Sequence, residues 1–293
     1  MKRFFLRLLG IVLVVAVSAY GAVAFTARPA GGYRFFDSLP NDRPVVIAHR
    51  GGADLWPENT IEAFAGAVAL GSDALEMDVF FTADRVPVVI HDETVDRTTN
   101  GSGPIESFTL AELQQLDAAV EFPNLVGTGI VVPTVEEVFA AFPGVPMIVE
   151  IKPNDLSLAD EVIRLVSRYD RVDITLLGSF HHDVLVHIRQ ADPRLATHMS
   201  EGEIIPFLVG SLLFSERLFS PPAPAVLVPP RSGPIPVLTG RFIRAAQERG
   251  LFVAAWTIND AEEMAMLLDR GVQGLITDRP DLAVSAALDH QRQ

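Results

Sequence analysis

The 293-residue chain has no cysteine. That excludes disulfides, thiolate nucleophiles and zinc or iron–sulfur centres held by cysteine. Basic side chains are also scarce: 23 Lys and Arg stand against 37 Asp and Glu, for a formal charge of −14 and a pI near 4.9. A nucleic-acid partner needs a basic footprint to meet its phosphates, so that class is excluded. No glycine-rich dinucleotide fingerprint follows the first apolar run, and no low-complexity tract is visible. What the chain does have is apolar bulk. At 49% hydrophobic residues it can bury a large core, and a single domain of about 250 residues is allowed.

Lys2, Arg3 and Arg7 precede an uncharged apolar run over residues 8–25, which is a targeting pattern. The run has no polar face and sits at the lower edge of the length that spans a bilayer. Residues 1–25 therefore read as an N-terminal hydrophobic helix, a transmembrane anchor with its basic end in the cytoplasm. The alternative is a signal peptide, with Ala22, Val23 and Ala24 as the small-residue cleavage site. On either reading the rest of the chain is expected outside the cytoplasm, membrane-anchored or secreted. Residues 26–43 hold proline, two adjacent glycines and mixed polar residues, and read as a linker.

From residue 44 onward, strand and helix patterns alternate. Extended runs are expected at 45–48, 74–79, 147–151, 174–180, 195–199, 225–228, 251–257 and 272–277, with a further short one at 87–90. Helices are expected at 60–70, 109–117, 134–142, 158–169, 183–190, 239–249, 260–270 and 280–288. Asn59 or Thr60 can cap the first, and Thr134 with Glu137 resembles a capping box. Leaving out 87–90 gives eight βα units, the arithmetic of a closed TIM (β/α)8 barrel over residues 44–293. An open doubly wound sheet is the competitor, disfavoured by the missing fingerprint. Residues 204–214 are almost wholly apolar. If Phe207, Leu208, Leu212, Leu213 and Phe214 are exposed near the barrel mouth, they suit a lipid chain or membrane surface. The plainer reading packs them as the fifth barrel helix.

Charged residues collect at the ends of the apolar runs. Glu76 and Asp78 are two apart on a strand, so they point to one side, and Glu150 with Lys152 forms a similar pair. Leu75, Met77 and Val79 take the other face, which turns the acids toward the barrel interior. Three acids at strand ends can hold a hard divalent cation. His49 and His91 beside them can exchange protons near neutral pH. Glu58 either touches the cation or orients Arg50, and Asn59 reads as a helix cap rather than a ligand. His181, His182, His187 and His198 carry no partner pattern and read as structural or exposed. Asp278 reads as a loop anchor.

Taken together, the blocks His49-Arg50-Gly51, Pro57-Glu58-Asn59-Thr60, Glu76-Met77-Asp78-Val79, Pro87-Val88 with His91-Asp92, and Arg97-Thr98-Thr99-Asn100-Gly101-Ser102-Gly103 resemble the glycerophosphodiester phosphodiesterase family. Glu150-Ile151-Lys152-Pro153, Trp256-Thr257-Ile258-Asn259 and the block 274–280 continue the resemblance to residue 280. It implies a TIM barrel, a divalent metal, and hydrolysis of glycerophosphodiesters to an alcohol and glycerol 3-phosphate. By the same resemblance the glycerol 2-hydroxyl attacks first, and water then opens a cyclic phosphate. In those terms Glu76, Asp78 and Glu150 hold Mg²⁺ or Ca²⁺, Arg50 grips phosphate oxygens, Lys152 adds a point charge, and His49 and His91 act as acid and base. Trp256 either covers the glycerol moiety or belongs to the core. The expected partner is a small glycerophosphodiester or lysophospholipid, with membrane association through the N-terminal segment. Lysophospholipase D-type, sphingomyelinase D-like or phospholipase C-like action on lipids and a non-catalytic tethered barrel are the alternatives.

Overall fold

The computed structural model describes residues 24–292. The expected hydrophobic helix over 1–25 lies outside the described residues except for its last two, and among the described residues no helix is long and apolar enough to cross a membrane. The strands are β1 (Val45–Ala48), β2 (Ala74–Phe81), β3 (Pro87–Val89), β4 (Met147–Ile151), β5 (Thr175–Gly178), β6 (Ala196–Thr197), β7 (Ala225–Val228), β8 (Arg231–Ser232), β9 (Ile235–Pro236), β10 (Phe252–Ala255) and β11 (Gly274–Thr277). Eight of them run parallel in the order β6-β5-β4-β2-β1-β11-β10-β7. A single parallel bridge, His198 to Ala225, joins the two ends into the expected (β/α)8 barrel, and the Met199 N–H donates to the Ala225 carbonyl at 2.8 Å. Strand β3 folds back antiparallel on β2, outside the barrel, and β8 with β9 forms a separate hairpin.

Both faces of these strands are dry, as a parallel sheet wrapped by helices requires. Leu75, Met77, Val79, Met147, Val149 and Ile151 face outward and pack with Phe64, Val138, Phe139 and Val162 of the surrounding helices. Val45, Ile47, Ala74, Ile148, Leu176, Ala196, Ala225, Ala254 and Ile276 face inward as a second cluster. Four of those inward residues are alanines, too small to fill a barrel by themselves. The missing volume comes from residues read from sequence as linker. A short helix, Arg34–Asp37, buries Phe35 among the inward residues together with Leu39, and Phe36 packs on Phe252 with ring centroids 5.3 Å apart. Phe35 and Leu39 are thus part of the core, with Tyr33 and Phe36 partly buried against it, because such a segment gains more from burial than from staying extended in water.

Local caps set the helix starts. Thr60, not Asn59, caps Ile61–Leu70 by accepting from the Ala63 N–H at 3.2 Å, and Thr134 with Glu137 makes the expected capping box for Val135–Ala141. The helix expected at 109–117 shrinks to Leu110–Leu113, since the Asp117 carboxylate instead accepts from the Ala119 and Gly127 N–H groups and turns the chain away. The apolar stretch after residue 200 is the helix Glu201–Leu212. Phe207 is in the core against Phe219 and Phe242 and Leu208 packs partly beside it, whereas Leu212, Leu213 and Phe214 are exposed. Along β2 and β4 the inward positions change character toward the carboxyl end: Ala74 gives way to Glu76 and Asp78, and Ile148 to Glu150 and Lys152. The apolar floor and the charged mouth are two ends of the same strands.

Candidate active site

Parallel pairing places Asp78 opposite Glu150 and Glu76 opposite Ile148. Two acids stacked on β2 and one beside them on β4 therefore converge, and one carboxylate oxygen from each of Glu76, Asp78 and Glu150 lies within 4.8 Å of the others. Glu76 and Asp78 are buried. Each carboxylate has named donors. The Asn59 amide donates to Asp78 Oδ2 at 3.1 Å, and the Arg50 backbone N–H donates to Glu76 Oε2 at 3.0 Å. Lys152 Nζ is 2.8 Å from Glu150 Oε1 and 3.4 Å from Asp78 Oδ1. Burial, then the charges of Asp78 and Glu150, push the Glu76 carboxyl well above the usual carboxylate range. A cation among the three would relieve that repulsion, and an all-oxygen donor set suits a hard divalent ion. Burial works against the Lys152 charge, but Asp78 and Glu150 outweigh it and raise its pKa.

The two imidazoles stand at strand ends, each backed by a carboxylate. His49 follows β1 at a turn in which Arg50, Gly51 and Gly52 all have positive φ, 51°, 83° and 97°. A Cβ on Gly51 would lie 2.8 Å from the Ala63 Cβ, so the turn can press against the following helix only with glycine there. His49 Nδ1 is 2.6 Å from Asp278 Oδ1, and its Nε2 is 4.0 Å from Glu76 Oε2. Burial alone would lower the His49 pKa, yet the Asp278 hydrogen bond and the Glu76 charge raise it above the ordinary value. Asp278 is itself fixed, accepting from Asn259 Nδ2 at 2.7 Å. His91 Nδ1 is 2.6 Å from Asp92 Oδ1. Hydrogen bonding to Arg97, more than to His91, holds the Asp92 carboxyl down at about 2.

Arg50 donates from Nη1 to Glu58 Oε1 at 3.2 Å, and its Nε is 3.4 Å from Asp78 Oδ2. Glu58 is held on its other side by Arg97, so it faces two guanidinium groups and stands outside the acidic trio; of its two readings, orienting Arg50 is the one its contacts match. The cavity holding His49, Arg50, Glu76, Asp78, His91, Glu150 and Lys152 is walled by Phe180, Leu227, Trp256 and Ile276. Phe180 is 59% exposed at its rim, stands edge-on to Trp256 with centroids 5.9 Å apart, and has the Lys152 ammonium 5.7 Å from its ring centre. His198 also lines the cavity. Its Nδ1 is 2.9 Å from the Met199 carbonyl and its Nε2 accepts from the Ser179 N–H, and burial lowers its pKa below the ordinary value. His181, His182 and His187 pair with the Lys152 carbonyl, Ser200 and Asp160.

Sequence reasoning missed several partners. Asp278 is more than a loop anchor, because it holds His49, and Asn59 is a carboxylate partner instead of a cap. A signal for the first was available: closing eight strands makes the first and last neighbours, and Ala48 pairs with Thr277. Asp92 follows His91 directly, yet adjacency alone does not show a side-chain bond. Arg97 and Phe180 carried no spacing signal.

Residues 49–282 match the family model described as the glycerophosphoryl diester phosphodiesterase family. The glycerophosphodiester phosphodiesterase of Caldanaerobacter subterraneus subsp. tengcongensis is 34% identical, over 83% of this chain and 97% of that protein. A human lysophospholipase D is 29% identical over 80% of this chain and 83% of its own length. Among solved structures, an Oleispira antarctica phosphodiesterase in complex with the product sn-glycerol-3-phosphate superposes with a TM-score of 0.71 at 27% identity, covering 84% of this chain and 97% of that one.

Proposed function

The chain belongs to the glycerophosphoryl diester phosphodiesterase family and is a phosphoric diester hydrolase, and from that premise we propose that it cleaves glycerophosphodiesters to glycerol 3-phosphate and an alcohol at the carboxyl ends of β1, β2 and β4, with His49 and His91 moving the protons. The observation that carries this reading is one cavity in which two carboxylate-backed imidazoles meet three acids, an arginine and a lysine. A phosphodiester anion resists attack, so its charge must be offset and its leaving oxygen protonated. Arg50 and Lys152 flank the acids and would take the phosphoryl oxygens, the first bidentately and the second as a point charge. Glu76, Asp78 and Glu150 would hold one divalent cation, Mg²⁺ or Ca²⁺, which when bound polarises phosphoryl oxygens and lowers the pKa of a bound hydroxyl. One imidazole takes the proton of the attacking hydroxyl and the other protonates the departing alcohol, a contribution of roughly 10² to 10⁴ in rate. Trp256 would lie against the apolar side of the glycerol moiety.

A lysophospholipid is the second reading for the substrate, favoured by the exposed aromatic rim at Phe180 and by likeness to a lysophospholipase D. The run over 8–25 would tether the barrel to a membrane with its mouth outside the cytoplasm, a proposal supported by its sequence pattern alone. The test uses the full chain with glycerophosphocholine and lysophosphatidylcholine. Turnover should vanish with a chelator and return with Mg²⁺ or Ca²⁺, and His49→Ala and His91→Ala should each be inactive with near wild-type melting. Undiminished release of glycerol 3-phosphate in the chelated enzyme or in both variants would defeat the reading. Lysophosphatidic acid as the favoured product would select the lipid substrate, and protection of the barrel from protease added to intact cells would reject the outside placement.

A further inference from the structure

We propose that Arg97 is a positioning residue that clamps Glu58 and Asp92 together, and through them holds Arg50 and His91 in working register. The inference rests on the reading above, in which Arg50 takes phosphate and His91 carries a proton. Arg97 lies in the loop after β3 and is not among the residues that line the cavity. Its guanidinium nevertheless holds two carboxylates that contact site residues, Glu58 beside Arg50 and Asp92 beside His91. Nη2 and Nη1 donate to Glu58 Oε1 and Oε2 at 2.7 and 2.8 Å, while Nε and Nη2 donate to Asp92 Oδ2 and Oδ1 at 2.8 and 3.2 Å. Nη1 is also 3.5 Å from Glu121 Oε2.

Each carboxylate has a second contact that faces the chemistry. Asp92 Oδ1 is 2.6 Å from His91 Nδ1, so an Asp92 pinned by Arg97 fixes the imidazole's orientation. Glu58 Oε1 is shared between Arg97 at 2.7 Å and Arg50 at 3.2 Å. The shorter bond belongs to Arg97. With that acceptor largely engaged, Glu58 orients Arg50 without drawing its guanidinium away from an incoming phosphate. A planar fork with five donors can bond both oxygens of two carboxylates at once, whereas an ammonium has three donors and cannot make all four of those bonds. The clamp ties the turn after β1 to the loop after β3, so a small slip there moves two reacting groups relative to each other, and such a shift can cost about 100-fold in rate. Because Glu58 is largely buried and the pairs are bidentate, the cluster also contributes to folding, so stability has to be read separately from rate.

The test compares Arg97→Ala, Arg97→Lys, Asp92→Asn and the Arg97→Ala/Asp92→Asn double variant in the full, metal-supplied chain, measuring kcat, KM and melting with glycerophosphocholine. Arg97→Ala should lower kcat by about 10- to 100-fold and raise KM, in a protein that melting shows to be folded at the assay temperature. Arg97→Lys should recover only a small part of the loss. The double variant should lose clearly less in kcat than the product of the two single losses, because the Asp92 arm is shared and residues acting through one network are not additive. Wild-type kinetics in Arg97→Ala, full recovery in Arg97→Lys, or multiplicative losses in the double variant would each overturn the clamp. His91→Ala, assayed alongside, separates the two levels: wild-type turnover there sinks the catalytic reading itself, whereas a dead His91→Ala beside a fully active Arg97→Ala sinks only the role of Arg97.

Discussion

Replacing Asp278 by Asn should disable His49 without disturbing the fold. The outcome is dictated by Asn259, whose Oδ1 already accepts from the Asp278 N–H at 2.9 Å and the Thr277 hydroxyl at 3.1 Å. Its Nδ2 must therefore donate to residue 278, as it does to Asp278 Oδ2 at 2.7 Å. In Asp278→Asn the new side chain has to offer its oxygen to Asn259, which turns its NH₂ toward His49 Nδ1. Nδ1 becomes an acceptor, the proton moves to Nε2, and the imidazolium loses its counter-charge 2.6 Å away. Loss of general acid–base function costs about 10² to 10⁴ in rate, or about 2.7 to 5.4 kcal/mol of barrier. The sign of the pH effect follows from the same bond. Asp278 holds the His49 pKa above its ordinary value, so the variant's pKa falls and the limb of the rate profile that reports His49 moves to lower pH. Steady-state release of glycerol 3-phosphate from about pH 5 to about pH 9 would measure both, with melting as the control for folding. A variant within threefold of wild type, with superimposable pH limbs, would refute the assignment of Asp278 to His49.

Two further substitutions probe the rim and the turn. Phe180→Ala should raise KM by roughly 5- to 30-fold for substrates with a bulky or cationic alcohol while changing kcat little, since the exposed ring offers about 1–2 kcal/mol of apolar and cation–π contact; an unchanged KM for glycerophosphocholine would count against that contact. Gly51→Ala should destabilise the protein by about 1–3 kcal/mol in urea unfolding, because it combines a φ of 83° with a Cβ 2.8 Å from that of Ala63; a wild-type midpoint would show that the turn can relax.

Much of the barrel was readable because its signals are local. Apolar runs broken by caps and glycines mark eight strands, and the two-residue spacing of Glu76 and Asp78 needs nothing beyond strand geometry to put both acids on one side. Thr134 with Glu137 is likewise a three-residue relation. The linker reading missed the burial of Phe35 and Leu39 for the opposite reason. Nothing near Phe35 in the chain shows that the barrel interior is lined with Ala74, Ala196, Ala225 and Ala254 and needs a ring to fill it. Asn59 was misread because a helix cap and a carboxylate partner look alike until β2 is brought beside the turn after β1.

The element pattern, the family resemblance and the acids, bases and cations gathered at strand ends all follow from composition, spacing and chain order. Which carboxylate serves which imidazole, that Glu58 answers to two arginines, and that Phe180 stands at the rim emerge only from the folded barrel. Those choices depend on strand register and barrel closure, which bring together groups as distant as His49 and Asp278, 229 positions apart, and no local preference encodes a contact across that separation.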